Sequence, residues 1–269
     1  MKLSNIFSDR NKILLRELII TDFKLRYQGS VLGYAWSVLK PLFLFAILYI
    51  VFDKFLKLGR DIEHFPVYLL TGIVLWTFFT EATIQGLHSI VSRGSLIRKI
   101  SFPKYIIVIS STVSALINLS INMAVVFIFC ILSGVHLSID VVLIVPLILE
   151  LYIFALAIAF LLSAINTKFR DVGYLWEIFL QAAFYATPIL YPLQMVMSQS
   201  ALAAKVLMLN PVAQVIQDVR HALITRDAIT TSSLLQNWKM FIPFITILIV
   251  LIAGAWYFKK SQRYFAEDI

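Results

Sequence analysis

Arg26-Tyr27-Gln28-Gly29-Ser30-Val31-Leu32-Gly33-Tyr34-Ala35-Trp36-Ser37-Val38-Leu39-Lys40-Pro41 is the stretch on which the fold turns. Ahead of it stand Lys2, Arg10, Lys12, Arg16 and Lys24; behind it, Leu42 to Phe52 carry no charge. Arg26 and Tyr27 suit headgroup depth, where a guanidinium and a phenol both find polar partners, and Trp36 suits a place just inside the boundary. Gly29, Ser30 and Gly33 are small, so the backbone can bend there and approach a neighbouring helix closely. The spacing predicts a corner, at which a helix along a membrane surface turns into one that crosses it. An interfacial anchor with no further role reads the same residues equally well.

The wider composition agrees with that membrane setting. Of 269 residues, 60% are hydrophobic and 14% charged, against about 25% charged in an ordinary soluble domain. Mean hydropathy is +0.88. The net charge of +8 could suggest a nucleic-acid partner, but its distribution assigns it to membrane flanks, so no nucleic acid is expected. Cys130 is the single cysteine and lies in an apolar run, which rules out an internal disulfide and suits a small core residue. The first 34 residues lack a compact apolar stretch with a small-residue cleavage site, so no cleavable signal peptide is expected.

Working outward, residues 6–27 predict an amphipathic helix. Leu14, Leu18 and Leu25 recur at helical spacing beside Ile13 and Ile20, and Lys12, Arg16, Glu17 and Lys24 occupy the remainder. Ser8 or Asp9 would cap its start. Six stretches are long and apolar enough to cross a bilayer, near 35–54, 66–88, 106–133, 141–166, 173–191 and 240–258. The fold class is therefore an all-α integral membrane protein with six transmembrane helices and an N-terminal interfacial helix. An even number of spans places both termini on one side. That side collects sixteen Lys and Arg and the other seven, so both termini are expected in the cytoplasm. Two units follow: a cytoplasmic amphipathic helix over 1–30 and a six-span domain over 31–269.

The connection from 192 to 239 has structure of its own. Leu202 to Leu209 is apolar but too short to span; Asn210-Pro211 signals a helix start, and Val212, Val215, Ile216, Val219 and Leu223 repeat at helical spacing. Two short helices are expected here, dipping into the outer leaflet or lying on it. Before them, Pro188 and Pro192 break the fifth span near its outer end, which is tolerated where neighbours re-satisfy the freed carbonyls.

No catalytic constellation is legible. The four histidines are scattered, there is no H-E-x-x-H or paired-cysteine spacing, and Gly29 and Gly33 are followed by Tyr34 rather than the lysine of a P-loop. If transport is driven by ATP, another subunit binds the ATP. Glu81, Glu150 and Glu177 fall within or at the edges of spans. Glu81 and Glu177 are expected near cytoplasmic ends within reach of water. The deeper Glu150 could pair across a helix contact, face a hydrated path or stay protonated. Ser111, Ser114, Asn118 and Asn122 form a polar stripe suited to interhelical hydrogen bonds. Spans one and five are rich in aromatics, which suit stacking with sugars or an exposure to lipid. Segment 92–104 carries an apolar face of Leu96, Ile97 and Ile100 and a basic one of Arg98 and Lys99, and ends at Pro103. Such a helix can dock in a groove of a soluble partner or anchor at the interface.

Taken together, five motifs in order resemble the ABC-2-type permeases that export polysaccharides and polyol phosphates. They are Arg26-Tyr27 with Ser30, Leu32-Gly33, Trp36 and Pro41; Phe102-Pro103-Lys104; Phe169-Arg170-Asp171; Thr187-Pro188-Ile189; and Asn210-Pro211 with Arg220. Lys104 stands where arginine is commoner. The resemblance implies a half-transporter that forms a homodimer, binds two copies of a separate ATPase, and moves a lipid-linked polysaccharide of O-antigen type outward, with capsule and teichoic acid as alternatives. ATP and Mg²⁺ would belong to the partner, with no cofactor in this chain. The resemblance further implies a coupling region at Leu96, Ile97, Arg98, Lys99, Phe102 and Pro103. It implies an interfacial motif at Arg26, Tyr27, Gly33 and Trp36, and a glycan path past Tyr34, Tyr49, Phe184 and Tyr185. An external gate over 187–225 would include Pro188, Tyr191, Asn210 and Pro211. A membrane-embedded acyl- or glycosyltransferase is the rival class, and it would need an acid or histidine cluster at the membrane face. A scaffold or ion channel would lack the ATPase.

Overall fold

The computed structural model describes residues 9–27, 29–57, 59, 62–235 and 237–268. The cap expected of Ser8, the headgroup placement expected of the Arg26 and Tyr27 side chains, and Gln28 lie outside the described residues. Those residues form thirteen α-helices and no strand.

Helix α1 (Asp9–Tyr27) lies along the bundle against α5 (Tyr105–Leu132). Leu14 and Leu18 are half-buried and Lys12, Arg16, Glu17 and Lys24 exposed, as the amphipathic pattern requires; Ile13 and Leu25 instead point outward. The corner follows. Gly29 and Gly33 take φ of +80° and +49°, a region that L side chains disfavour, and a 3₁₀ turn at Gly33–Ala35 leads into α2 (Trp36–Tyr49). Pro41 sits inside α2 and cannot donate to the carbonyl of Ser37 four residues back. Asn122 of α5 fills the gap: its Nδ2 donates to that carbonyl at 3.1 Å. The helix then loosens into a π-turn segment, Ile50–Phe55.

Helix α3 (Phe65–Ser92) is the axis of the bundle, buried over most of its length and packed by α2, α5, α6 (Ile144–Asn166) and α7 (Val172–Ala186). Small residues set its closest approach: a Cβ on Gly86 would lie 2.3 Å from that of Ala159 on α6. The short α4 (Gly94–Lys99) follows α3. Beyond α7 come α8 (Leu193–Gln199), α9 (Ala201–Leu207), α10 (Pro211–Leu223) and α11 (Thr231–Leu234), then α12 (Ile242–Ser261) against α6, and α13 (Phe265–Asp268).

Among the described residues, five segments are long and apolar enough to cross a membrane: Gly33–Phe55, Phe65–Ser92, Tyr105–Leu132, Ile139–Asn166 and Asn237–Ser261. The stretch expected to cross at 173–191 does not qualify, because α7 stops after 15 residues. Its roughly 22 Å falls short of a hydrocarbon core of about 30 Å. The reason is local: Thr187 precedes Pro188, which disfavours helical backbone there, and Thr187 adopts φ −84°, ψ 139°. Of the two placements expected for the following helices, the one on the leaflet surface needs correction. Helix α10 does not lie on a surface; Val212 to Gln217, Val219 and Arg220 are all buried, wedged among α3, α6 and α12.

Candidate functional site

Two helices that converge on α3 form with it a groove of about 640 Å³. Helix α2 contributes Lys40 and Leu44, α3 contributes Trp76, Thr77, Thr80, Glu81 and Ile84, and α7 contributes Glu177, Leu180, Gln181, Phe184 and Tyr185. The positions follow from helical period: 177, 181, 184 and 185 share one face of α7, as do 77, 80, 81 and 84 on α3. Aromatic packing fixes the wall. Trp76 meets Phe184 at 5.9 Å between ring centroids, and Phe184 meets Tyr185 edge-on at 5.3 Å. Trp176 is tied to α3 by a hydrogen bond from its Nε1 to Thr83 Oγ1 at 3.1 Å. Glu81 lies in the middle of α3 rather than near its end, and accepts from Asn118 Nδ2 at 3.1 Å. Glu177 is exposed on α7. The Thr80 hydroxyl is buried with no partner among the described residues. The groove thus combines aromatic faces with carboxylate, amide, hydroxyl and ammonium groups, a lining suited to a hydroxyl-rich ligand.

The outward faces continue this aromatic character. Tyr174, Phe179 and Tyr185 on α7, and Phe43 and Trp36 on α2, are exposed. Of the remaining path residues, Tyr34 is half exposed and stacks on Phe23 of α1 at 5.1 Å. Tyr49 packs between Phe45 and Phe65, with the Lys54 ammonium over its ring, and does not line the groove.

Beyond the groove, the broken end of α7 is closed by side chains. Tyr191 donates its hydroxyl to the carbonyls of Ala186 (3.1 Å) and Tyr185 (3.3 Å). Asn210 caps α10 by accepting from the Val212 N–H at 3.0 Å, with Pro211 at the first helical position. Arg220, fully buried, donates Nη1 to the Pro188 carbonyl (2.7 Å), Nη2 to that of Ile189 (2.8 Å) and Nε to that of Tyr68 (3.1 Å). Its guanidinium lies 3.5 Å from the centre of the Tyr68 ring. Gly72 makes the room, since a Cβ there would stand 2.5 Å from Nη2.

At the opposite end, α4 is seated by Ile97, buried in a cluster with Ile90, Ile107, Phe258 and Phe265, with Leu18 and Phe102 against it. Leu96 and Pro103 are half-buried; Arg98 and Lys99 face outward. Arg93, just ahead of α4, forms an ion pair with Asp22 of α1, and both share Ser110 of α5 through hydrogen bonds of 3.2 Å. Burial lowers the Arg93 pKa from its ordinary value. Sequence reading missed this pin, and Asp22, an acid interrupting the apolar run of α1, was its one visible sign. It also missed the buried Gln214, which donates to Glu150 at 3.4 Å and to Asp218 at 3.0 Å. Among the described residues, no three His, Cys, Asp or Glu converge to hold a metal ion.

Comparison with known proteins places these features in context. A family model described as ABC-2 type transporter matches residues 13–224. An O-antigen export system permease protein, RfbA, of Myxococcus xanthus is 28% identical over 257 residues, 95% of each chain. One of the same name from Klebsiella pneumoniae is 29% identical over 247 residues, 91% of each chain.

Proposed function

Because the chain belongs to the ABC-2 type transporter family, whose model covers residues 13–224, we propose that it is the membrane subunit of an exporter of a lipid-linked polysaccharide of O-antigen type. In this reading the chain works as a homodimer with two copies of a separate ATPase, which holds the ATP and Mg²⁺, in the cytoplasmic (inner) membrane. The observation that carries the substrate class is the groove of Trp76, Glu81, Glu177, Gln181, Phe184 and Tyr185. Aromatic faces accept sugar rings without locking them, and the interspersed polar groups replace hydration that a glycan loses. An unsatisfied buried polar group costs on the order of 2 kcal/mol or more, so a purely apolar wall would stall such a polymer. The exposed aromatic faces of α2 and α7 suit closure of the groove by a second copy. The names of the relatives support the O-antigen assignment.

The same reading makes α7, extended by residues 187–191, the fifth of six crossings, with both termini cytoplasmic and the capped break at Pro188 forming the external gate with Tyr191, Asn210 and Pro211. It makes Leu96, Ile97, Arg98, Lys99, Phe102 and Pro103 the ATPase-coupling region: the apolar members seat the helix and the two cations face the partner. Gly33 and Trp36, with Arg26 and Tyr27, would set the corner at the inner boundary. The test is polymer export in Phe184→Ala and Tyr185→Ala variants that still assemble with the ATPase. Loss of export with basal ATP hydrolysis retained is expected; normal export in both variants and in the double variant would reject the conduit.

A further inference from the structure

Arg93 is the single residue between α3 and α4, and it caps the end of one and the start of the other. Its backbone, at φ −115° and ψ 26°, interrupts the helix at that one position. Its carbonyl accepts the first hydrogen bonds of α4, from the N–H groups of Leu96 and Ile97 at 3.0 and 3.1 Å. Any tilt of α4 therefore turns Arg93. The side chain leaves this joint toward α1, where it pairs with Asp22. Ser110 of α5, fully buried, closes the triangle: it accepts from Arg93 Nη1 and donates to Asp22 Oδ2, each at 3.2 Å.

The pair is out of keeping with the rest of α1. Among the described residues, Asp22 is the one charged side chain on the face of α1 turned to the bundle; Asp9, Arg10, Lys12, Arg16, Glu17 and Lys24 are all exposed. Leu18, one turn earlier on that face, packs on the apolar cluster that seats Ile97 of α4. An apolar residue at position 22 would extend this packing with no charge to desolvate, and such replacements of mostly buried ion pairs are often neutral or stabilising. Stability alone thus does not call for an acid here. What the pair supplies is a fixed register between α1 and the joint ahead of α4.

The other flank of α4 is tied separately: Phe265 of α13 enters the same cluster, and the Lys104 ammonium donates to the Gln262 carbonyl at 2.9 Å. Helix α1 in turn runs through the corner at Gly29 and Gly33 into α2, whose Lys40 and Leu44 line the groove.

We propose that Arg93 and Asp22 are positioning residues that make α1 follow α4, so that a push from the ATPase on α4 reaches the α2 wall of the groove through the α1–α2 corner. This rests on the reading of α4 as part of the ATPase-coupling region and adds a second output to it. The axial helix α3 carries a displacement along the bundle, and the Arg93–Asp22 pair carries it sideways. While the pair is closed, α1 and α4 move as one body; when it is opened, they move independently.

The test uses the chain assembled with its ATPase in lipid vesicles, in a Cys130→Ala background. An environment-sensitive fluorophore is placed on a single cysteine, by Ser95→Cys on α4 or Arg16→Cys on α1, both exposed positions. On addition of ATP, both labels should change emission while Arg93 and Asp22 are intact. Asp22→Asn, which keeps shape and removes the charge, should leave the response at 95 and abolish that at 16. Polymer exported per ATP hydrolysed should then fall about tenfold, within the range by which single changes alter coupling between sites. Asp22→Arg combined with Arg93→Asp exchanges the ends of the pair and should restore the response at 16. A responsive label at 95 with a silent one at 16, in the complex with the pair intact, would overturn the proposal without any change to the pair. An unchanged response at 16 in Asp22→Asn would overturn it as well, as would failure of the exchanged pair to restore the response. A silent label at 95 would instead remove α4 from the coupling region, and with it the premise, so that failure is told apart from failure of the link.

Discussion

Replacing Arg220 with methionine removes the donors that hold the carbonyls of Pro188 and Ile189, neither of which is inside a helix. Each buried acceptor left open costs about 1–3 kcal/mol, roughly 2–6 kcal/mol for the pair. Part of this is offset, because the variant also removes a buried charge that has no ion-pair partner among the described residues, and a net loss of about 2–4 kcal/mol remains. Gly72→Ala attacks the same contact from the other side. Its new Cβ would stand 2.5 Å from Nη2, an overlap that costs about 1–3 kcal/mol when a buried group must shift. With Arg220→Met already present the overlap with Nη2 is gone and the milder contact with Ile189 Cγ2 at 3.3 Å remains, so the double variant should be more stable than the sum of the single effects by about 1 kcal/mol. Equilibrium unfolding of the purified chain in detergent, followed by near-ultraviolet circular dichroism, measures all three variants. Strict additivity would refute the argument, as would an Arg220→Met variant within about 0.5 kcal/mol of the parent.

Asn122→Leu should destabilise the chain by about 1–3 kcal/mol by opening the Ser37 carbonyl, and Pro41→Ala, which restores a backbone donor to that carbonyl, should recover most of the loss in the same unfolding assay. Charge reversal of Arg98 and Lys99 to Glu should weaken ATPase co-purification or uncouple hydrolysis from export; a reconstituted complex normal in both would remove these side chains from coupling. Single cysteines in a Cys130→Ala background should label from outside intact cells at position 230 and not at 98, and the reverse pattern would overturn the six-crossing topology.

The parts of this fold that were legible in sequence are those written in local chemistry. The charge gradient around Arg26–Pro41, the glycines at the corner, the Asn210-Pro211 helix start and the prolines that break the fifth stretch each act over a few residues. The apolar count over 173–191 did not reveal that the helix ends early, where Thr187, ahead of Pro188, leaves helical backbone. Helix α10 was harder still. Gln214, Gln217 and Arg220 are polar side chains, yet they are buried. What buries Arg220 is Tyr68 and Gly72, about 150 residues earlier, and no periodicity links the two. In the groove, the α7 residues Phe184 and Tyr185 were visible as aromatics. The partner of Phe184, Trp76, was not, because nothing in the sequence of α3 marks it as the central helix. Glu81 was expected near water on its count from the helix end; the position of Asn118 opposite it is a tertiary fact.

The acceptors of Arg220 precede it along the chain by 31, 32 and 152 residues. The end of α7 is therefore synthesised before the group that satisfies it exists. During that interval the broken segment must be sheltered by water or by the insertion machinery, and the end of α7 stays unlatched. A chain truncated after residue 209 keeps the latch open, whereas one truncated after 224 can close it, so protection of the 187–191 backbone from proteolysis should begin between those two lengths. The arginine acts, in effect, as a clock that dates the completion of this end of the bundle.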